Sequence, residues 1–308
     1  MLWLDREYVE QISSGEGKEM KKSIKILWLV IAFAFVCGIT LMAAGFFAGA
    51  SLSLYADSGG IHPAGREAGV MKVEASDLAG MERIKIDVDA SNIRIIGADR
   101  NDVEISYSRG EPVVEITGGE LKISQSIGRR LHIFNLGFDF NRDDTVTVYC
   151  KESELLKEIN VKSDFGDVRL QNINADAVVL NLSAGSIRMN DVKTNSLSID
   201  NDFGDVRMSG VTANDSRIEV SAGNVDARGD FGSTQINNDF GEITFHTIRP
   251  MDQYRYSFSV DLGDVTINGS KAGKGINADV NQTSTVGDGP YLKFTASFGS
   301  INANFESR

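Results

Sequence analysis

Asp164-Phe165-Gly166-Asp167-Val168-Arg169-Leu170 recurs as Asp202-Phe203-Gly204-Asp205-Val206-Arg207-Met208, with Ser183-Ala184-Gly185-Ser186-Ile187-Arg188-Met189 midway between the two. The glycines are 19 residues apart, and the series continues at Gly223, Gly241, Gly263 and Gly299 with gaps of 19, 18, 22 and 36. Two residues after each glycine stands a β-branched aliphatic: Val168, Ile187, Val206, Val225, Ile243, Val265, Ile301. Four after it stands another apolar residue, with a polar one between. This period-two alternation describes a strand with one buried face. A second strand fits between successive glycines, as in Val178-x-Leu180-x-Leu182 or Ile218-x-Val220.

A unit this short cannot bury its own apolar face, so neighbouring units must stack. The expected fold is all-β, a β-solenoid of about 19-residue coils rising about 4.8 Å each. The residue before each glycine runs Phe165, Ala184, Phe203, Ala222, Phe240, Leu262, Phe298, which reads as large-on-small packing inside one corner. The glycine itself is expected where a Cβ would hinder the corner. The 36-residue gap reads as one degenerate unit. Ile84, Ile86, Val88, Ile93, Ile95, Val103 and Ile105 alternate in the same way and read as early coils; residues 127–144 read as a less regular insertion.

Length and composition narrow the function. Of 308 residues, 31 are Lys or Arg and 43 Asp or Glu, for a net charge of -12. That acidity opposes nucleic-acid binding, and two cysteines and three isolated histidines leave little for disulfide stapling, metal or His-based catalysis. No charge occurs between Ile26 and Ala56, and residues 26–50 are long and apolar enough to be expected as one transmembrane helix. Lys18, Lys21, Lys22 and Lys25 precede it, so the expected topology is single-pass in a cell membrane, N-terminus cytoplasmic and main domain extracytoplasmic. The domains expected are a cytoplasmic tail over 1–25, the helix over 26–50, a linker over 51–69 and the solenoid over 70–308. Residues 1–19 look like an upstream extension, because Met20-Lys21-Lys22-Ser23-Ile24-Lys25 is a typical start for a membrane anchor.

Several motifs imitate chemistry. Asp-Phe-Gly at 164–166, 202–204, 230–232 and 239–241 copies the kinase metal-binding triplet, but four copies without the accompanying loops make it a repeat element. Asp164, Asp167, Asp202, Asp205, Asp239, Glu242, Asp261 and Asp264 recur at equivalent corners. One reading is a Ca²⁺ ladder, since this hard ion takes six to eight oxygens; the other, which the spacing favours, is that they cap turns and pair with neighbouring arginines. No other cofactor is expected. Phe134, Phe138 and Phe140 in the insertion read either as a partner-binding patch or as a cover for an open solenoid end. The last coil, Ser297 to Phe305, reads as a free edge open to self-association.

Ile84-x-Ile86-x-Val88, Asn92-Ile93-Arg94-Ile95 and Val146-Thr147-Val148, followed by the serial Gly-Asp-Val-Arg units, make residues 70–308 resemble a bacterial adhesin-like family with β-strand repeats, domain of unknown function 4097. The resemblance implies a solenoid and an envelope location. Cys150 stands where such proteins often have Pro, leaving a lone thiol. The function expected is a non-catalytic envelope scaffold, adhesin-like binder or envelope-stress sensor whose partner is an envelope protein or polysaccharide. A solenoid carbohydrate-active enzyme, a glycosidase or lyase using carboxylates on one face, is the alternative.

Overall fold

A computed structural model describes residues 53–57, 60–63, 69–107, 111–126, 131–135, 144–282 and 289–306. In chain order the strands are β1 (Ser53–Asp57), β2 (Gly60–Pro63), β3 (Gly69–Val73), β4 (Arg83–Ala90), β5 (Asn92–Ala98), β6 (Asp102–Tyr107), β7 (Val113–Thr117), β8 (Glu120–Gln125), β9 (Leu131–Asn135) and β10 (Thr145–Lys151). They continue as β11 (Leu156–Phe165), β12 (Val168–Ala184), β13 (Ile187–Phe203), β14 (Val206–Ala222), β15 (Val225–Phe240), β16 (Ile243–Thr247), β17 (Arg255–Ile267), β18 (Ser270–Gln282), β19 (Tyr291–Phe298) and β20 (Ile301–Phe305). Among the described residues the only helix is a 3-10 turn at Met251–Gln253.

The chain divides into two compact units. In the smaller, the described strands form one antiparallel sheet in the order β2-β1-β9. Both β1 and β2 fall inside the 51–69 segment read as a linker. The expected membrane location is corrected here: among the described residues no helix is long and apolar enough to cross a membrane. The 26–50 segment read as the span lies outside the described residues, as do 1–25.

The larger unit is an all-β stack of parallel strands. β12 pairs with β13 in parallel, Val168 beside Ile187 and Leu180 beside Ile199, so each 17-residue strand bends through both faces of the stack. β13 meets β14 and β14 meets β15 in the same fashion. One residue is dropped between Met208 and Val211, which accounts for the single 18-residue gap. Every inward position on these strands is buried, with Val168, Leu180, Ile187, Ile199, Val206, Ile218, Val225 and Ile236 forming one continuous core. Burying a Val, Leu or Ile side chain is worth about 1.5–3 kcal/mol, so the two-faced alternation supplies the main driving force for stacking.

Glycine makes the corner of each rung from β11/β12 onward, while Ser91 stands at the equivalent position of the β4–β5 rung. Gly166, Gly185, Gly204, Gly223, Gly241, Gly299 and Gly263 all have φ between 131° and 156°. A Cβ on Gly185 would lie 2.0 Å from the Gly166 carbonyl oxygen, on Gly204 2.1 Å from that of Gly185, and on Gly241 2.0 Å from that of Gly223. Each carbonyl thus occupies the space that a side chain on the next rung would need. The close approach lets the hydrogen-bond ladder run unbroken round the corner: Gly185 N–H donates to Phe203 O at 2.8 Å and Gly204 N–H to Ala222 O at 2.9 Å.

Rung order departs from chain order at both ends. The last coil is not terminal. β19 lies between β15 and β17, with Phe298 paired to Phe240 on one side and Leu262 on the other. β20 likewise separates β16 from the Val265 segment of β17. The 36-residue gap therefore holds no degenerate coil: the chain skips ahead by one rung, turns back through the antiparallel β17–β18 hairpin, and fills the rung it left. The other end repeats the device, with β4–β5 inserted between a β8/β10 rung and the β11/β12 rung. Val103 and Ile105, read as part of an early coil, instead sit on β6, which runs antiparallel to β10.

Replacing Gly204 by Ala forces a backbone shift as well as an unfavourable φ, and is expected to cost more than about 3 kcal/mol of stability. Gly269→Ala, where φ is +75° but the space is open, should cost only about 1–2 kcal/mol. Chemical denaturation of the two variants checks this; equal losses would remove the carbonyl contact from the explanation.

Candidate functional site

The residue before each corner glycine has the parity of the buried positions, so strict alternation would point it inward. The corner reverses it. The burial pattern of β13 ends with two successive exposed residues, Asp202 and Phe203, and β11 and β15 end the same way. Phe165 and Phe203 are each 63% exposed, Phe240 57%, Phe298 52% and Leu262 50%, which overturns the reading of these residues as corner packing. They form instead an outward ridge in the spatial order Phe165, Ala184, Phe203, Ala222, Phe240, Phe298, Leu262. The Phe240 and Phe298 rings stack with centroids 5.1 Å apart and 2° between their planes, so one face of each lies against the other.

Acidic side chains flank the ridge on both sides, in two different states. After the glycines, Asp167 accepts the Ser186 N–H at 2.9 Å and an Arg188 N–H at 3.2 Å. Asp205 accepts the Asn224 N–H at 2.9 Å and an Arg207 N–H at 2.6 Å. Asp264 accepts from Lys271 at 2.6 Å, and Glu242 from the Asn302 amide. Asn92 and Asn224 perform the same capping for Asp167 and Glu242, so one side-chain column ties rung to rung. Before the glycines, Asp164, Asp202, Asp239 and Asp261 are exposed and make no hydrogen bond or ion pair among the described residues. Their field reaches neighbouring groups: burial, then the charges of Asp202 and Glu219, hold the Asp200 carboxyl above its ordinary pKa.

The eight carboxylates of the Ca²⁺ reading thus fall into a bonded column, in which Asp167 and Asp205 cap backbone N–H groups and Glu242 and Asp264 accept from side chains, and an unpaired column. Among the described residues no three His, Cys, Asp or Glu side chains gather as a metal site. The Asp-Phe-Gly copy at 230–232 departs from the others: Phe231 is fully buried against Phe245, and Asp230 pairs with Arg249. Phe134 lies on β9, whose side chains are outside the described residues, as are Phe138 and Phe140 altogether.

Other features close off chemistry more than they offer it. A shallow open recess is bordered by Asp99, Lys151, Glu152, Ser153 and Asn174, but Lys151 is paired with Glu154 at 3.4 Å. Cys150 is buried on β10 with its Sγ 3.8 Å from the Ile96 carbonyl oxygen, and burial pushes its thiol up to about 12. Asn201 and Asn238 are buried in the corner and donate to the carbonyls of Gly204 and Gly223, a bracing role that a polar residue at an inward position signals in the sequence.

A family description, Toastrack DUF4097, matches residues 81–298. No curated protein matches the chain. Among solved structures, a cell-adhesion candidate from Clostridium sporogenes is similar at 15% identity and a TM-score of 0.33, covering 79% of this chain and 100% of its own. An adhesin candidate from Parabacteroides distasonis reaches 12% and 0.40, covering 77% and 97%. A lipid-binding candidate from the same organism reaches 14% and 0.38, covering 78% and 97%. At these scores the likeness carries no weight for function.

Because only the thiolate reacts, the Cys150 pKa predicts alkylation at pH 8 about a thousandfold slower than for an exposed cysteine while the chain is folded. Site-resolved mass spectrometry of iodoacetamide-treated protein, with and without denaturant, measures it; rapid labelling of folded protein would contradict the burial.

Proposed function

The chain belongs to the Toastrack DUF4097 family, and from that premise we propose that it is a non-catalytic, adhesin-like binding scaffold whose recognition surface is the ridge from Phe165 to Leu262. The observation that carries this reading is the exposure of five large apolar side chains in one file. Scattered exposed hydrophobics are ordinary on soluble proteins, whereas a contiguous apolar patch rimmed by polar groups marks a contact surface. The parallel register fixes the position of every member of the file, so a partner meets a rigid surface and its binding costs little ordering of the protein.

The enzyme alternative is supported less well. A glycosidase needs two carboxylates facing each other across the scissile bond, one of them placed to give up a proton. Asp167 and Asp205 are engaged by backbone N–H groups and arginines instead, and the acids before the glycines stand exposed in a single file.

The test uses the full-length chain and a variant carrying Phe165→Ser, Phe203→Ser and Phe240→Ser, both applied to peptide and glycan arrays. At least one ligand class should bind the parent and weaken at least ~10-fold in the variant, with thermal midpoints alike because the replaced rings are exposed. Ligands indifferent to the triple change, or shortening of a bound polysaccharide, would sink the proposal.

A further inference from the structure

From Phe165 to Phe240 the ridge has a period of two rungs, which ends where Phe298 and Leu262 occupy the next two rungs. Within this stretch, rungs that carry a phenylalanine also carry carboxylates on both sides: Asp164 and Asp167 around Phe165, Asp202 and Asp205 around Phe203, Asp239 and Glu242 around Phe240, whereas Phe298 beyond it stands between Ser297 and Ser300. The rungs between carry Ala184 with Ser183 and Ser186, and Ala222 with Ser221 and Asn224. Parallel strands lie about 4.8 Å apart, so the phenylalanines recur about every 9.6 Å with an alanine-floored slot between each pair. Subtracting two van der Waals contacts of about 4 Å leaves each slot the width of one saturated ring or aliphatic branch.

An extended partner must repeat on this interval to use more than one slot. A β-strand presents every second residue on one face at about 6.6–6.8 Å and falls out of step at once. An α-helix returns a residue to the same face every 5.4 Å, matching neither one rung nor two. A polyproline-II segment has three residues per turn and rises about 3.1 Å per residue, hence about 9.3 Å per turn. Over the four rungs from Phe165 to Phe240, about 19 Å, six such residues stay in step to within about 1 Å. The charge on the ridge sets the second requirement: Asp164, Asp202 and Asp239 are unpaired among the described residues. A cation on each turn of the partner would meet one of them.

We infer that the ridge binds a basic polyproline-II segment, with a proline or aliphatic residue of each turn in the Ala184 and Ala222 slots and a Lys or Arg of each turn against Asp164, Asp202 and Asp239. This rests on the reading of the ridge as the recognition surface. Pre-formed polyproline helices lose little entropy on docking between aromatic rings, which is how a small apolar slot gains useful affinity. Two other occupants fit less well. A sugar chain stacks on broad, open ring faces, whereas Phe240 and Phe298 each have one face covered by the other and the slots over Ala184 and Ala222 are only about one ring wide. A second copy of the ridge would bring two acidic rims together, and like charges oppose that contact.

The experiment titrates the full-length protein with a fluorescent peptide of repeated Lys-Pro-Pro triplets, then with Glu-Pro-Pro and Lys-Gly-Gly triplets of equal length and with chitosan oligosaccharide. Lys-Pro-Pro should bind, weaken with added salt, and bind at least ~10-fold less well to Asp164→Asn/Asp202→Asn/Asp239→Asn. Ala184→Leu/Ala222→Leu, which fills the slots from outside and keeps all the rings, should lose it to the same extent. Thermal midpoints of the variants show that they fold. Equal binding of Lys-Gly-Gly would overturn the conformational requirement, and equal binding of Glu-Pro-Pro the electrostatic one. Binding of chitosan alone, or a concentration-dependent dimer in sedimentation, in either case abolished by Phe165→Ser/Phe203→Ser/Phe240→Ser, would overturn the peptide while leaving the ridge as the recognition surface. No ligand or dimer sensitive to the triple change would overturn both.

Discussion

The structure depends on one close contact, a backbone carbonyl oxygen lying where the next rung's Cβ would be. Only glycine tolerates both that approach and the positive φ that accompanies it, and the column from Gly166 to Gly263 supplies it rung after rung. Because the corner closes this tightly, backbone hydrogen bonds pass through it without a gap. The two faces of each rung then stay in register with both faces of the next. A looser corner would let rungs slip, and a one-residue slip would turn every buried Val, Ile and Leu outward.

The same constraint positions the ridge. At the corner the chain cannot keep its alternation, so the residue before each glycine, inward by parity, points to solvent. Whatever side chains occupy that position become an evenly spaced file, and this chain places phenylalanine at four and leucine at one of the file's seven positions between Phe165 and Leu262. The carboxylates beside the file do two separate jobs. After the glycine, Asp167 and Asp205 hold the next rung's N–H, whereas the acids before it are exposed and unpaired among the described residues.

Much of this was legible in the residues. Seven glycines each followed at two residues by Val or Ile fix the rung length, the strand face and the need to stack. The capping role of Asp167 and Asp205 follows from acids recurring beside a turn. Two matters were not legible. The direction of Phe165, Phe203 and Phe240 depends on backbone dihedrals at the corner, which the period-two rule ignores. The order of the terminal rungs was also hidden, because Val265 and Ile301 carry the same signature and nothing local says which lies beside Ile243. The β17–β18 hairpin has a local signal in its two-residue Asn268-Gly269 turn, but which rung the returning chain then fills is set by pairing across the stack and leaves no local pattern.

Interleaving also completes the ridge, since Phe298 stacks on Phe240 only if the last rung enters before the Leu262 rung. Engineered disulfides measure that order directly. Phe240→Cys with Phe298→Cys joins register partners on adjacent parallel strands, about 4.8 Å apart and within disulfide reach, whereas Phe240→Cys with Leu262→Cys spans two rungs, about 9.6 Å and beyond it. On mild oxidation of folded protein, the 240/298 pair should cross-link and the 240/262 pair should remain reduced. Cross-linking of 240/262 with no 240/298 bond would mean that rungs stack in chain order, and the interleaved account would be wrong.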